Sequence, residues 1–402
     1  NRGYLLISFT SVSLLVKIHV VITRGRIIMK ILIVIDDYFN KSNGMSISTQ
    51  RFVHELKKMG QDVRILSSIA GGKPDYPLPI MTIPIFKNII AKEGFHFAKP
   101  KKEIIKEAIR WADLVHLEDP FPVCWTAAKI AKQMRKPITG TFHLYPENLT
   151  ASVPILDHAS INSAFMRLFR DTTFNYCSYL QCPTTKVEHR LKKYNFKSKL
   201  IVISNGISDY YLQSNQRTTT TDPFTILSIG RFSNEKDQKT LIKAIGRSKY
   251  KDRIKLILAG KGPLKNEYIS LCQRLKLNAQ LGFYSRNDLK QIMDQSNIVV
   301  HCANVEVEGM ACMEAFATGC VPIIAQSPLS STSSYALSPN NLFPAGSSEI
   351  LAQRIDYWIN HPKDLKMMSA NYQNYSKSLT VQFSAKKLLT MMKNAQKNYL
   401  SN

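Results

Sequence analysis

From residue 30 onward the chain alternates short apolar runs with longer stretches in which apolar positions recur every three or four residues. KILIVID at 30–36 is too short and too rich in Ile and Val for a helix. It predicts a strand, followed by a loop, YFNKSNGMS, and a helical pattern through STQRFVHELKKMG. QDVRILSS supplies the next strand, completing a βαβ opening. The alternation continues through ADLVHLE, PVCWTAAKIAKQMR, PITGTFHL, YLQCPTTKVEHRLKKY and KLIVISNGI. Strands that read as unbroken apolar runs are expected in a parallel sheet covered on both faces.

A threonine run, QRTTTTDPF at 216–224, interrupts this series, and a second begins with FTILSIGRF, KDQKTLIKAI and RIKLILAGKGP. It runs on through 279–327, again as strand, loop, helix and strand. A domain boundary is therefore expected between about 208 and 224. The expected organisation is an extension or weak anchor at 1–28, a Rossmann-like unit at 29–210, a second at 220–384 and a closing basic helix at 385–402. Two doubly wound units in tandem form a cleft where the carboxyl ends of their strands face each other, and open α/β sheets bind ligands at those ends.

At 402 residues, 44% apolar and 21% charged, the chain is long enough for two cores. Its formal net charge of +25 points to anionic partners without choosing among them. No zinc pattern, recognition-helix motif or RNP-like aromatic strand accompanies the charge, so nucleic acid is disfavoured. The seven cysteines form no CxxC pair, and five lie in apolar runs, which predicts buried reduced thiols. Residues 1–28 precede Met29, and Lys17, His19 and Arg24 interrupt their apolar stretch. No other segment approaches the run of about 18 apolar residues that a membrane-spanning helix needs.

The glycines narrow the ligand class. A dinucleotide fold wants GxGxxG after its first strand, but the first loop offers only Gly44 and the loop after FTILSIG offers none. AGKGP at 259–263 reads as a strand-to-helix turn, with direct ligand contact as the competing reading, and no GxxxxGK[ST] sequence exists. EVEGMACMEA at 306–315 sets three glutamates around Gly309 among small or apolar residues. Acids on an apolar helix need a partner, solvent or a ligand.

GRFSNEKD at 230–237, AGKGP, LGFYSRNDL at 281–289 and EVEGMACMEAFATGCVPIIA at 306–325 occur in that order. With NGMSISTQRFVHEL and SNGI, they resemble the retaining glycosyltransferases of family 4, which have the GT-B fold of two Rossmann-like domains facing across a cleft. The resemblance runs from Met29 to about residue 385.

It implies a metal-independent hexosyltransferase that needs no cofactor and uses a nucleotide-sugar, in the first instance a UDP-sugar, as donor substrate. Glu306 and Glu314 stand at the family's spacing of two glutamates with seven residues between. Glu306 would hold hydroxyls of the transferred sugar and Glu314 the ribose, since a carboxylate accepts from paired OH donors. Gly309 would let the backbone pass close to a diphosphate, with the Met310 and Ala311 amides at the helix start binding its oxygens. Arg231 and Lys236 match the family's basic pair aimed at the diphosphate. Gly44 would approach it from the opposite domain, and His143 would face the sugar or acceptor. Phe283 would hold the base, core packing being the competing reading. Glu308 stands where the family carries an aromatic or apolar residue; it reads as a solvated helix cap or as a sign of a different donor sugar.

The acceptor implied is a lipid-linked saccharide or polysaccharide precursor, with diacylglycerol as the alternative and a non-catalytic binder of nucleotide-sugars or anionic polymers more distant. A sugar-nucleotide epimerase would share the architecture but not the Glu306 to Glu314 spacing. Two basic stretches, 87–110 with seven Lys/Arg against three acids and 186–199 with six against one, are read either as solvated surface or as a seat on anionic lipid. The second reading implies a cytoplasmic protein peripheral to the membrane.

Overall fold

The computed structural model describes residues 28–81, 95–151, 158–213 and 222–401. The proposed extension, apart from Ile28, lies outside them, as do 87–94 of the first basic stretch and most of the threonine run. Strands β1 Lys30–Val34, β2 Asp62–Ser68, β3 Tyr76–Leu78, β4 Leu114–Leu117, β5 Ile138–Thr141, β6 Tyr179–Cys182 and β7 Lys199–Val202 form one sheet. Its order is β3-β2-β1-β4-β5-β6-β7, and its pairings are parallel. Strands β8 Phe224–Ile229, β9 Ile254–Ala259, β10 Ala279–Gly282 and β11 Ile298–His301 belong to a second sheet. Next come β12 Val305–Glu306, β13 Val321–Gln326, β14 Leu329–Ser330 and β15 Leu342–Pro344. The second sheet runs β10-β9-β8-β11-β13-β15, while β12 and β14 pair separately.

Both sheets are two-sided. Ile31, Leu32, Ile33 and Val34 of β1 are all at most 1% exposed, because helices cover both faces; this is why the strand shows no polar alternation. Helix Gly44–Lys58 follows β1. Its N-cap Asn43 accepts from the Met45 and Ser46 N–H groups through its side chain, and Lys57 and Lys58 occupy the last turn. In each sheet the strand order reverses beside the first strand, between β1 and β4 and between β8 and β11. The loops leaving those four strands carry most of the candidate residues.

The first sheet's last strand ends at Val202 and the second sheet's first strand begins at Phe224, and the chain comes back beside the first unit at Leu379–Val381, where Ile207 exchanges backbone hydrogen bonds with both. The last helix, Val381–Leu400, starts four residues before the expected position. Its apolar face, including Ala385, Leu388, Met392 and Ala395, shares a core with Ile31, Ile33, Phe52 and Leu56 of the first unit. Lys386, Lys387 and Lys393 remain exposed. All seven cysteines are buried free thiols. Among the described residues, no helix is long and apolar enough to cross a membrane.

Candidate functional site

Two helix starts meet across the cleft. Gly309 is the N-cap of helix Met310–Ala317, with φ 88°. A Cβ there would sit 2.4 Å from Thr332 Oγ1, so backbone conformation and space both demand glycine. The Gly309 carbonyl accepts from the Cys312 and Met313 N–H groups. The Met310 and Ala311 amides precede this first turn and have no intrahelical acceptor. Opposite them, a Cβ on Gly44 would lie 3.7 Å from Met310 Cε, which puts the two helix starts in contact distance.

Glu306, on β12, faces two bases. Lys236 Nζ donates to its Oε2, and His301 Nε2 lies 3.6 Å from the same atom. Burial alone would raise the Glu306 pKa, but the Lys236 ammonium, followed by His301, pulls it below the usual carboxylate range. His301 responds in the opposite way. Burial depresses it to about 4, with Glu306 resisting and Lys236 assisting, so it is neutral at pH 7. The result is an ionised carboxylate held by a cation at the cleft.

Arg231 lies just after β8, where its Nη2 donates to Glu235 Oε1 at 2.9 Å while the side chain stays 27% exposed. Glu235 in turn holds the Ser233 hydroxyl, and its backbone carbonyl accepts the Asn304 N–H. This ties the Arg231–Lys236 loop to the segment leading into Glu306. The AGKGP loop packs against it so closely that a Cβ on Gly262 would meet Phe232 O at 2.4 Å, so loop packing alone requires glycine there. Phe283 stands apart from the cluster. It is 61% exposed with Lys261 Nζ 4.9 Å from its ring centre, which rules out the core-packing alternative.

Glu314 is held from the other domain, its Oε1 accepting from Arg51 Nη2. Both side chains are only 14% and 11% exposed, so the pair is shielded from solvent. His143, after β5, is buried, with its Nε2 2.7 Å from Glu118 Oε2 at the end of β4. Glu118 would be pushed up by burial, yet its two histidine neighbours, His116 and His143, keep its pKa low. An ionised Glu118 requires a proton on His143 Nε2, so this bond fixes the ring's orientation. Val305 and Val307, on either side of Glu306, pack in the same cluster as Phe142 and Tyr145 around His143.

Glu308 is a correction. It is neither solvated nor a cap: only 2% exposed, it accepts the Asn205 backbone N–H at 2.9 Å and the Tyr335 hydroxyl at 3.0 Å. Its donors come from both units, Asn205 from the first and Tyr335 from the second, so the side chain lies in the domain junction. The basic stretch 186–199 also divides. Lys186 donates to the Ser327 and Ser330 carbonyls across the junction, and Arg190 pairs with Glu147 over the Tyr145 ring. Lys192, Lys193, Lys197 and Lys199 are exposed.

Arg51, Glu118 and His301 escaped sequence reasoning. Arg51 is seven residues after Gly44, two helical turns along the same face, and that spacing was the available signal. Glu118 and His301 sit at the carboxyl ends of β4 and β11, the positions next to each sheet's reversal.

Residues 212–375 match the family model for glycosyl transferases group 1, and residues 42–209 match that for glycosyltransferase family 4. The chain belongs to the GT-B glycosyltransferases of family 4. Among curated relatives, the alpha-monoglucosyldiacylglycerol synthase of Streptococcus pneumoniae is 23% identical over 326 residues, 74% of this chain and 71% of that protein. HepE of Anabaena, solved in complex with UDP, superimposes with a TM-score of 0.70 at 15% identity, covering 91% of this chain and all of that one. The catalytic domain of the cholesterol-alpha-glucosyltransferase of Helicobacter pylori is 42% identical over 39% of this chain and 99% of its own, with a TM-score of 0.39.

Proposed function

We propose that this glycosyltransferase moves a hexose from a UDP-sugar, with retention at the anomeric carbon, to a lipid acceptor at an anionic membrane surface. The observation that carries the reading is the meeting of Gly44 with Met310, beside the Lys236–Glu306 pair, at the carboxyl ends of both sheets. Amide hydrogens from the Gly309 helix start and the cations Arg231 and Lys236 would stabilise charge on a departing diphosphate. With that charge carried by protein groups, transfer should persist in EDTA. Glu306 would accept from sugar hydroxyls, Glu314 from the ribose, and His143 from a hydroxyl on the acceptor side. The complex of HepE with UDP supports uracil as the base, which Phe283 would hold.

Between the two acceptors the sequence left open, the pneumococcal relative favours a diacylglycerol-type glycolipid over a lipid-linked saccharide. The exposed lysines at 192, 193, 197 and 199, with Lys101, Lys102, Lys106 and Arg110, suit an anionic lipid surface. The test incubates the protein with UDP-glucose and vesicles of anionic lipid containing diacylglycerol or monoglucosyldiacylglycerol, with and without EDTA, and reads the product anomer by NMR. An α-glucolipid formed in EDTA is expected. A β-linked product would exclude retention, and failure with either lipid alongside transfer to a soluble saccharide would exclude the lipid acceptor.

A further inference from the structure

Glu308 has a buried carboxylate in a place where the diphosphate reading gives it no ligand to hold. Besides Asn205 N and Tyr335 OH, the Ser204 hydroxyl bonds to it. The Glu308 backbone carbonyl accepts from Thr332 Oγ1, the atom that packs against Gly309. On the other side, Asn205 Oδ1 accepts from the Ser48 hydroxyl at 2.8 Å, and Ser48 is fully buried on the helix that starts at Gly44. A continuous chain of hydrogen bonds thus runs from the first turns of the Gly44 helix, through the segment after β7, to the residue before Gly309.

We propose that Glu308 is a positioning residue that holds the Gly44 and Gly309 helix starts in register across the cleft, so that a diphosphate meets both at once. This rests on the diphosphate reading given above and assigns the third glutamate of EVEG a task within it. A carboxylate suits the position because donors from both domains converge there, and an apolar residue would leave the Asn205 N–H and two hydroxyls unpaired. Stability is a poor alternative reason. Burial pushes the Glu308 carboxyl up despite its hydrogen bonds, and a buried charge is often no more stabilising than an apolar residue of its size.

The experiment titrates UDP by calorimetry into the wild type, Ser48→Ala, Glu308→Gln and the double variant, with melting temperatures measured in parallel. Glu308→Gln, which offers one acceptor instead of two, is expected to weaken UDP binding about 5- to 10-fold while the melting temperature holds or rises. Ser48→Ala should weaken it about threefold, and the double variant should be no weaker than Glu308→Gln alone, because both break one relay. A lower melting temperature with unchanged UDP affinity, or fully additive effects, would overturn the proposal and leave the diphosphate reading standing. If Glu308→Gln does not fold, Tyr335→Phe removes one donor to the same carboxylate and is expected to weaken UDP binding likewise; unchanged affinity would count against the relay. A wild-type protein that binds no UDP would sink the diphosphate reading and this relay with it.

Discussion

The Lys236–Glu306 pair makes a sign-definite prediction: Glu306→Gln should bind UDP more tightly than the wild type while transferring sugar more slowly. Glu306 and a diphosphate compete for the Lys236 ammonium. Lys236 donates to Glu306 Oε2, and the two side chains are only 20% and 19% exposed. A hydrogen bond between charged groups contributes about 1.5–3 kcal/mol, and partial exposure reduces that to about 1–2 kcal/mol here. An incoming diphosphate must share or displace this bond and also approach the carboxylate's charge. His301 offers no relief, since its pKa of about 4 leaves it neutral at pH 7. Glutamine keeps an oxygen for the ammonium but not the charge. UDP affinity should then rise roughly 5- to 30-fold, the equivalent of about 1–2 kcal/mol.

Turnover should move the other way, because a sugar hydroxyl gives up a charge-assisted hydrogen bond for a neutral one about half as strong. Calorimetry with UDP measures the first effect, and single-turnover transfer from UDP-glucose the second. Lys236→Met provides the control. It should weaken UDP, and in its background Glu306→Gln should lose the part of its benefit that comes from freeing Lys236, keeping only the relief of charge repulsion. Weaker or unchanged UDP binding in Glu306→Gln would refute the competition, and undiminished transfer would remove Glu306 from the reaction.

Three further outcomes follow from the same geometry. Because burial depresses His301 from 6.5 to about 4, the unfolded state takes up its proton first. The stability tied to this residue is complete above pH 6.5 and falls as pH drops toward 4, by up to about 3 kcal/mol; the slope of melting temperature against pH should flatten in His301→Asn. Phe283→Ala should weaken UDP by about 1–3 kcal/mol if the ring stacks on the base, with no change in melting temperature because the side chain is 61% exposed. Gly309→Ala should cost about 1–2 kcal/mol for its left-handed backbone and about 1–3 kcal/mol for the collision with Thr332; adding Thr332→Ala should recover only the collision's share of the lost melting temperature, without restoring UDP binding.

The strands and their order of appearance were legible because a parallel sheet buried on both faces leaves unbroken apolar runs, as β1, β8 and β9 show. The two-residue strands β12 and β14 were not, since so short a pairing has no period to detect. Glu308 was misread for a definable reason. An acid just before a helix resembles a cap in sequence, and only its bonds to Asn205 and Tyr335, far away along the chain, show that its side chain lies in the domain junction. Phe283 was ambiguous because it follows β10, an edge strand whose neighbouring loop can turn an aromatic either way.

The least legible feature was the pairing of opposite charges over long distances, and it changes how ligand binding has to be pictured. The family resemblance pointed to Arg231, Lys236, Glu306 and Glu314 as groups awaiting a ligand, yet each holds a protein partner: Glu235, Glu306, Lys236 and Arg51 in turn. Charges this shielded from water are costly when alone, so a cleft that gathers them must neutralise them internally. A nucleotide-sugar would therefore bind by exchange, with ribose hydroxyls joining or replacing Arg51 on Glu314 and phosphate oxygens replacing Glu306 on Lys236. The Arg51–Glu314 pair joins residues 263 positions apart on facing domains, so the same exchange would loosen one contact between the domains as the ligand supplies others.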